Sequence, residues 1–245
     1  LSVCVGVDFG GSSIKAARIN VDNGSLVSEV RSVPTPNAGA LKPSLEAIVE
    51  VVGDWPDPIG VAFPSVIQHG RTLTAANIGQ EWIGADALVL LTRLFMRPVA
   101  LLNDADAAGL AEMKLGAGRG LTGTVLMLTF GTGIGSALFV NGVLWPNTEL
   151  GHLEVDGQGA EVNASAKARA RDELSFDAWA KRVDRVLAEY RKLLWPEVVI
   201  VGGGISEHFE KFAGHLSTQS RILPAQLRQD AGIVGAALAA DALKS

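Results

Sequence analysis

The chain has one cysteine, one tyrosine and three methionines in 245 residues. A single cysteine, Cys4, excludes an internal disulfide, and its place in an apolar stretch reads as core rather than as a catalytic thiol. No apolar run reaches transmembrane length and no signal-peptide pattern precedes the first apolar segment, so a soluble cytoplasmic protein is the expectation. Positive charge is not in excess: 21 Lys and Arg stand against 26 Asp and Glu, a net charge of −5. That balance argues against general binding to nucleic acid or anionic membranes and leaves room for a local basic groove. No HExxH, Cys-His or Walker A spacing occurs, and no linker or low-complexity tract. Glycine is plentiful, at 28 residues in a chain that is 48% hydrophobic. The length allows one large domain or two moderate lobes.

Residues 1–7 read as a buried strand and 14–21 as a second, joined by Gly10-Gly11-Ser12-Ser13. Two glycines bring the backbone close to whatever lies above the turn, and successive N–H groups with two hydroxyls can surround an anion. Asp8 at the strand end suits a magnesium ion, directly or through water. An ordinary Gly-Gly hairpin explains the same residues. Asp8-Phe9-Gly10 spells the DFG of protein kinases, but no HRD-type loop or VAIK lysine precedes it, which excludes that reading. Further on, a strand is expected at 27–34, a helix at 41–53, a strand at 59–63 closed by Pro64-Ser65, and a small hairpin strand at 71–75. A helix at 86–96, a strand at 99–102 ending in Asn103-Asp104, and a helix at 105–115 complete this half.

After the glycine-rich connection 116–123 the pattern restarts. A strand at 124–129 leads into the turn Phe130-Gly131-Thr132-Gly133-Ile134-Gly135, then a strand at 136–140 and the type I′ hairpin signal Asn141-Gly142 before a strand through Trp145. The two strand–glycine turn–strand units form a weak internal duplication of fold. A basic stretch at 165–174 is expected to be helical. Ser175 is the N-cap of a long helix with Phe176, Trp179, Val183, Val186, Tyr190 and Leu194 on one face, stopped by Pro196. A strand at 198–201 enters Gly202-Gly203-Gly204, followed by a short helix at 207–212 and an Ala-rich one at 233–243.

Three glycine turns after strands point to a nucleotide or polyphosphate. The dinucleotide fingerprint does not fit, since residues 131–136 lack its final glycine and open a strand rather than a helix. Asp104 could take the proton of a hydroxyl while a phosphoryl group arrives in line. Aspartate before a helix is also a favoured N-cap, and the two roles are compatible. Glu149, His152 and Glu161 form a polar cluster with Asn77 and Asn103 as allies. Such a set raises a metal first, but Gly151 weakens the i, i+3 helical spacing. Carboxylates and amides also supply the paired donors and acceptors that vicinal hydroxyls need. Sugar binding is preferred over metal, with exposed loop polars as the plain alternative.

Together, Val7-Asp8-Phe9-Gly10-Gly11-Ser12-Ser13-Ile14-Lys15, Leu102-Asn103-Asp104-Ala105, Phe130-Gly131-Thr132-Gly133-Ile134-Gly135, Glu149-Leu150-Gly151-His152 and Val201-Gly202-Gly203-Gly204 resemble the ROK sugar kinases, relatives of hexokinase within the actin-like ATPases. The order and spacing match over almost the full chain. The resemblance implies an α/β fold of two lobes with a cleft between them. The N-terminal lobe would span 1–107, with the final helix at about 233–245 packing back on it, and the C-terminal lobe 108–232. Asp8, Gly10, Gly11, Ser12, Ser13 and Lys15 would form the first phosphate loop, with Asp8 holding Mg2+. Gly131, Thr132 and Gly133 would form the second, and Gly202, Gly203 and Gly204 would lie near the far end of the donor. Asn103, Glu149, His152 and Glu161 would bind the sugar, with Asn77 and Ser65 as neighbours. Asp104 would be the base that activates the sugar 6-hydroxyl.

Typical members follow the histidine with a cysteine-rich zinc loop. Residues 153–161 contain no cysteine here, so zinc is not expected. This loop, the 130–136 turn and the compact length are most similar to the polyphosphate glucokinase branch, some of which use both polyphosphate and ATP and some of which accept mannose. No DNA-binding extension precedes the first strand, which disfavours the repressor branch. The implied activity is phosphoryl transfer from polyphosphate or ATP to glucose, with mannose as a second acceptor, by a homodimer. A strictly ATP-dependent hexokinase and a non-catalytic sugar sensor are the alternatives. An actin-type structural ATPase is disfavoured by the sugar cluster and the short length. A polyphosphate track would need basic residues beyond the catalytic phosphates. Lys167, Arg169, Arg171, Lys181, Arg182, Arg185, Lys192 and Lys211 are candidates, or else a solvated helix face.

Overall fold

Val3–Phe9 (β1) is apolar except at Gly6 and Asp8 and is largely buried, the pattern of a strand covered on both faces. It pairs antiparallel with Ser13–Asn20 (β2), which pairs antiparallel with Arg31–Pro34 (β3). The computed structural model describes residues 2–76 and 78–244. Leu1, expected in the first strand, and Asn77, expected in the sugar site, lie outside the described residues. Leu41–Val52 (α1) follows, then Ile59–Phe63 (β4), the small hairpin Ile67–Gln68 (β5) and Arg71–Thr72 (β6), Ala87–Phe95 (α2), Val99–Asn103 (β7) and Asp104–Leu115 (α3). β1, β4 and β7 run parallel, giving the sheet order β3-β2-β1-β4-β7.

The second sheet is built from Thr124–Phe130 (β8), Ile134–Val140 (β9), Val143–Trp145 (β10), Val198–Gly202 (β13) and Arg221–Pro224 (β14). Between β10 and β13 lie the short hairpin Glu154–Val155 (β11) and Gln158–Gly159 (β12), then Ala160–Ala164 (α4), Ala166–Arg171 (α5) and Phe176–Leu194 (α6). Its order, β10-β9-β8-β13-β14, repeats the first: an antiparallel meander of three, then two parallel strands. The chain thus builds one pattern twice. One compact unit takes the residues up to Ala111 and those from Asp230 on, and the other is Glu112–Gln229. No helix among the described residues is long and apolar enough to cross a membrane.

In the first unit the two faces of the sheet are filled differently. Val5, Val7, Phe9, Ile59, Val61 and Phe63 pack with α1 and α2 residues Ile48, Val51, Val52 and Leu91. The other face receives Ala231–Asp241 (α7), an Ala-rich helix buried almost all round. Its backbone approaches closely because Gly6 and Gly60 are paired across β1 and β4. A Cβ at Gly6 would collide with Ile233 O, one at Gly60 with Ala236 O, and one at Gly235 with Ala107 O of α3. In the second unit Leu126, Leu128 and Val201 pack with the α6 residues Trp179, Val183 and Tyr190. Ser175 Oγ accepts the Ala178 N–H at 3.2 Å and caps α6 as expected. Buried Glu112 ties this unit's ends, accepting the N–H groups of Ala117 at 2.8 Å and Leu227 at 2.6 Å.

Several elements differ from expectation. The third strand begins at Arg31, not at 27: Ser28 Oγ takes the Arg18 N–H at 3.0 Å, so a side chain replaces the ladder partner there. The segment expected as one strand at 71–75 contributes only the two-residue β6. The helix expected at 207–212 is a 3-10 stretch, Gly204–Lys211, interrupted at His208. The strand β14 and the helix α4 were not expected, and α7 starts two residues earlier than the 233 boundary.

Candidate active site

The glycine turns sit at equivalent places in the two sheets. In the first, Gly10 N–H bonds Ser13 O at 3.0 Å, and Thr35 holds the turn from outside: its N–H donates to Ser12 O at 3.0 Å and its Oγ1 to Gly10 O at 2.6 Å. In the second, Gly131 N–H bonds Gly133 O at 3.0 Å. A buried phenylalanine precedes each. Phe9 lies edge-on to Phe63, centroids 4.7 Å apart, and Phe130 edge-on to Trp179 at 5.5 Å. Gly11, Ser12, Gly131 and Thr132 are exposed, so both turns present backbone outward from an anchored base.

Asp8 is half-buried and points to the α7 face, where a Cβ on Gly232 would lie 3.0 Å from its carboxyl carbon. Burial pushes its carboxyl above the ordinary range; Lys15, its register partner on β2, pulls it part of the way back. A shielded carboxylate with one opposing cation suits a hard divalent ion.

The end of β7 divides its work between two residues. The sequence placed the N-cap of α3 on Asp104, but Asn103 performs it: its Oδ1 accepts the N–H groups of Ala105 at 2.8 Å and Asp106 at 3.1 Å. Its Nδ2 donates to Ser65 O at 3.2 Å. Asp104 is the first residue of the helix, half-buried, with Oδ1 2.8 Å from the Ala105 N–H. Ser65 is buried, and its hydroxyl donates to Thr74 O at 2.8 Å and accepts the Thr74 N–H at 3.2 Å. It meets Asn103 through its carbonyl.

In the second unit Glu149, His152 and Glu161 come together. His152 Nε2 is 3.5 Å from Glu149 Oε2 and Nδ1 is 3.6 Å from Glu161 Oε1. Leu150–His152 forms a 3-10 turn, pinned by Ser136, whose Oγ accepts the Leu150 N–H at 3.1 Å, and by Tyr190, whose hydroxyl donates to Leu150 O at 2.7 Å. Partial burial raises the Glu149 carboxyl, His152 lowers it, and Glu161 raises it. Glu161 also reaches the glycine turn, accepting the Ile134 N–H at 3.2 Å. A side chain at Gly133 would strike Glu161, and one at Gly151 would strike Ile134 O, so these glycines let the cluster and the turn meet. Gly203, at φ +78°, lies against the Phe130 backbone, which brings the third glycine turn beside the second. Gly131 and Gly204 face open space: no heavy atom lies within 4 Å of a Cβ built on either.

Five of the eight candidate basic residues are ion-paired. Arg171 and Arg182 bond Asp172, Lys181 bonds Asp177, Arg185 bonds Asp156 and Lys192 bonds Glu189. Two arginines hold the Asp172 carboxyl far below its ordinary range. Sequence reading missed Gly6, Gly60 and Gly235, whose only local signal is a glycine inside an otherwise regular element.

The ROK family model matches residues 4–169. The chain is 44% identical to a polyphosphate glucokinase of Mycobacterium tuberculosis over 237 residues, 96% of this chain and 89% of that protein. Its structure is similar to that of an inorganic polyphosphate/ATP-glucomannokinase from Arthrobacter sp. strain KM, with a TM-score of 0.94, 45% identity and 100% of both chains covered. A ROK family glucokinase from Streptomyces griseus, solved with glucose and AMPPNP, matches at a TM-score of 0.82 and 25% identity over 96% of this chain and 98% of that one. The fold is the two-lobed α/β type of the actin-like ATPases and hexokinases. With its motifs, its repeated sheets and these matches in accord, the chain belongs to the ROK family.

Proposed function

We propose that this protein is a polyphosphate/ATP glucokinase, transferring a phosphoryl group from inorganic polyphosphate or ATP to the 6-hydroxyl of glucose, with mannose as a second acceptor. The observation that carries the reading is the union of a polyol-type cluster and a phosphate-type turn: Glu161 faces His152 and also bonds the Ile134 N–H behind Gly131-Thr132-Gly133. The relatives with this activity match over nearly the whole chain.

In this reading Glu149, His152, Glu161 and Asn103 hold the sugar hydroxyls, with Asn77 and Ser65 as neighbours. The capping bonds of Asn103 leave one side-chain N–H for that purpose. Asp104 takes the proton of the 6-hydroxyl as it attacks. The donor lies along Gly10, Gly11, Ser12, Ser13 and Lys15 in the first lobe and along Gly131, Thr132, Gly133 and Gly202, Gly203, Gly204 in the second. Asp8 fits a magnesium ion, which supplies charge neutralisation on the donor phosphates when bound. Positioning and backbone N–H groups supply the rest. A cytoplasmic location and a homodimer go with this reading, the homodimer resting on the family resemblance.

The test is hexose-6-phosphate formation from glucose and from mannose with magnesium, comparing ATP with long-chain polyphosphate. Product with both donors is expected. Product with ATP alone would make it an ordinary hexokinase of this fold, and glucose binding without product from either donor would make it a sugar sensor.

A further inference from the structure

Phe176 opens α6, and two cations converge on its ring. The Arg169 guanidinium carbon lies 3.8 Å from the ring centroid and Lys211 Nζ 5.4 Å. His208 meets the same ring edge-on, with centroids 5.4 Å apart. The cations come from two different stretches. Arg169 belongs to α5, which is joined to the second glycine turn by a 3.0 Å bond from Lys167 N–H to Gly131 O. Lys211 closes the 3-10 stretch that begins at Gly204, the last residue of Gly202-Gly203-Gly204. The cluster therefore stems from two of the glycine turns, both in the second unit.

Its charge is not compensated. Among the described residues neither Arg169 nor Lys211 has a carboxylate within ion-pair distance, whereas Lys181, Arg182, Arg185 and Lys192 of the neighbouring α6 are paired. Asp177, next to Phe176, is engaged by Lys181 and His215. The Arg169 Nε–H is buried without a hydrogen-bond partner. Two cations on one ring lie within about a Debye length of each other and repel. The ring attracts each of them, but it offers no lone pairs to the guanidinium donors. A chain of phosphates supplies both what the protein withholds, negative charge and oxygen acceptors, in the geometry that a guanidinium fork and an ammonium group bind.

We propose that the Arg169–Phe176–Lys211 cluster is a docking site for the part of a polyphosphate chain that extends beyond the phosphates held at the glycine turns. This rests on the reading of the chain as a polyphosphate-using kinase. It moves the polyanion track off the outer face of α6, where Lys181, Arg185 and Lys192 already have partners.

The experiment compares Arg169→Gln, Lys211→Gln and the double variant with Lys181→Gln and Lys192→Gln, at saturating glucose, with long-chain polyphosphate and with ATP. In the double variant the ratio of polyphosphate-driven to ATP-driven kcat/KM falls about tenfold, through the polyphosphate KM, as two charge-assisted contacts are lost. The salt dependence of that KM also flattens. The Lys181 and Lys192 variants keep the parent ratio. An unchanged ratio in the double variant, or an equal loss with both donors, overturns the proposal. Lys211 is exposed, so its single variant folds and gives a reading even where Arg169→Gln does not. If the parent protein makes no product from polyphosphate, the polyphosphate-using reading fails separately. Calorimetric binding of long-chain polyphosphate then decides: affinity lost in the double variant supports the site, and unaltered affinity, or none in the parent, overturns it.

Discussion

Asn103 and Asp104 are adjacent in the chain and differ in duty. Asn103 spends its amide oxygen on two helix N–H groups and one amide N–H on Ser65, so it fixes the start of α3. Asp104 is thereby set on the first turn with its backbone held. Asp104→Asn is expected to keep the fold and glucose binding while lowering kcat by roughly 10²–10⁴-fold, the range for loss of a general base. Steady-state kinetics beside glucose calorimetry check this, and near-normal turnover would remove Asp104 from that role. Asp8 gives a second test through pH. Burial raises its carboxyl, with Lys15 opposing. For an acid with a raised folded-state pKa, stability is fully present below the unfolded value, about 3.9, and declines as pH rises through the folded value. Asp8→Asn never ionises. Its Tm should exceed the parent's at neutral pH, and the gap should close below about pH 4, where the parent is protonated in both states. Melting curves across that range read the gap directly; a gap that is absent at neutral pH, or that widens in acid, refutes the burial argument. Activity of this variant should be lost at every pH if Asp8 serves the donor metal.

At the scale of elements, glycines of two kinds can be told apart by what a methyl group would meet. Gly235 lets α7 lie against the Ala107 carbonyl, with no room for a Cβ. Gly235→Ala must displace a buried helix, and it should cost upwards of about 3 kcal/mol or prevent soluble expression, as overpacking against rigid backbone does. Gly131 and Gly204 have open space instead, and neither has a positive φ. Gly131→Ala should leave chemical denaturation within about 0.5 kcal/mol of the parent while raising the donor KM, because the added methyl occupies the approach to the turn. If Gly131→Ala proved the more destabilising of the two, the assignment of packing and ligand glycines would be reversed. This distinction was not legible in the sequence. The turns at 10–13 and 131–133 announced themselves by clustering after apolar strands, but Gly6 and Gly60 are isolated inside strands, and only the parallel register of β1 and β4 shows that they make one floor for α7. Likewise β14, four residues bounded by Arg221 and Pro224, has too short an apolar run to stand out, and Ser28 cut back β3 through a hydroxyl that no periodicity reveals. Local signals marked what local forces decide; caps shared between neighbours and close backbone contacts depend on which elements meet.

At the scale of the molecule, the same five-strand pattern occurs twice, and the hint of it in the sequence was the pair of glycine hairpins. The two copies are not closed in the same way. The second unit is a continuous segment, Glu112–Gln229, whose first residue bonds the Leu227 N–H near its end. The first unit is discontinuous: its sheet is completed on one face by α7, which comes from the far end of the chain. Deleting residues 230–245 would uncover Gly6, Gly60 and the strands that carry them, along with Asp8, which lies against Gly232. A sheet stripped of one buried face has unpaid exposure of apolar surface at about 25 cal/mol per Å², too much for a domain of ordinary marginal stability. The truncated protein should therefore lose the order of residues 2–111 and keep that of 112–229. Limited proteolysis followed by mass spectrometry separates the outcomes: a resistant fragment covering the second unit is expected, with cleavage spread through the first. Equal resistance of both units would mean that the first sheet stands without α7, and cleavage throughout would mean that the second unit cannot hold its fold once the first is lost.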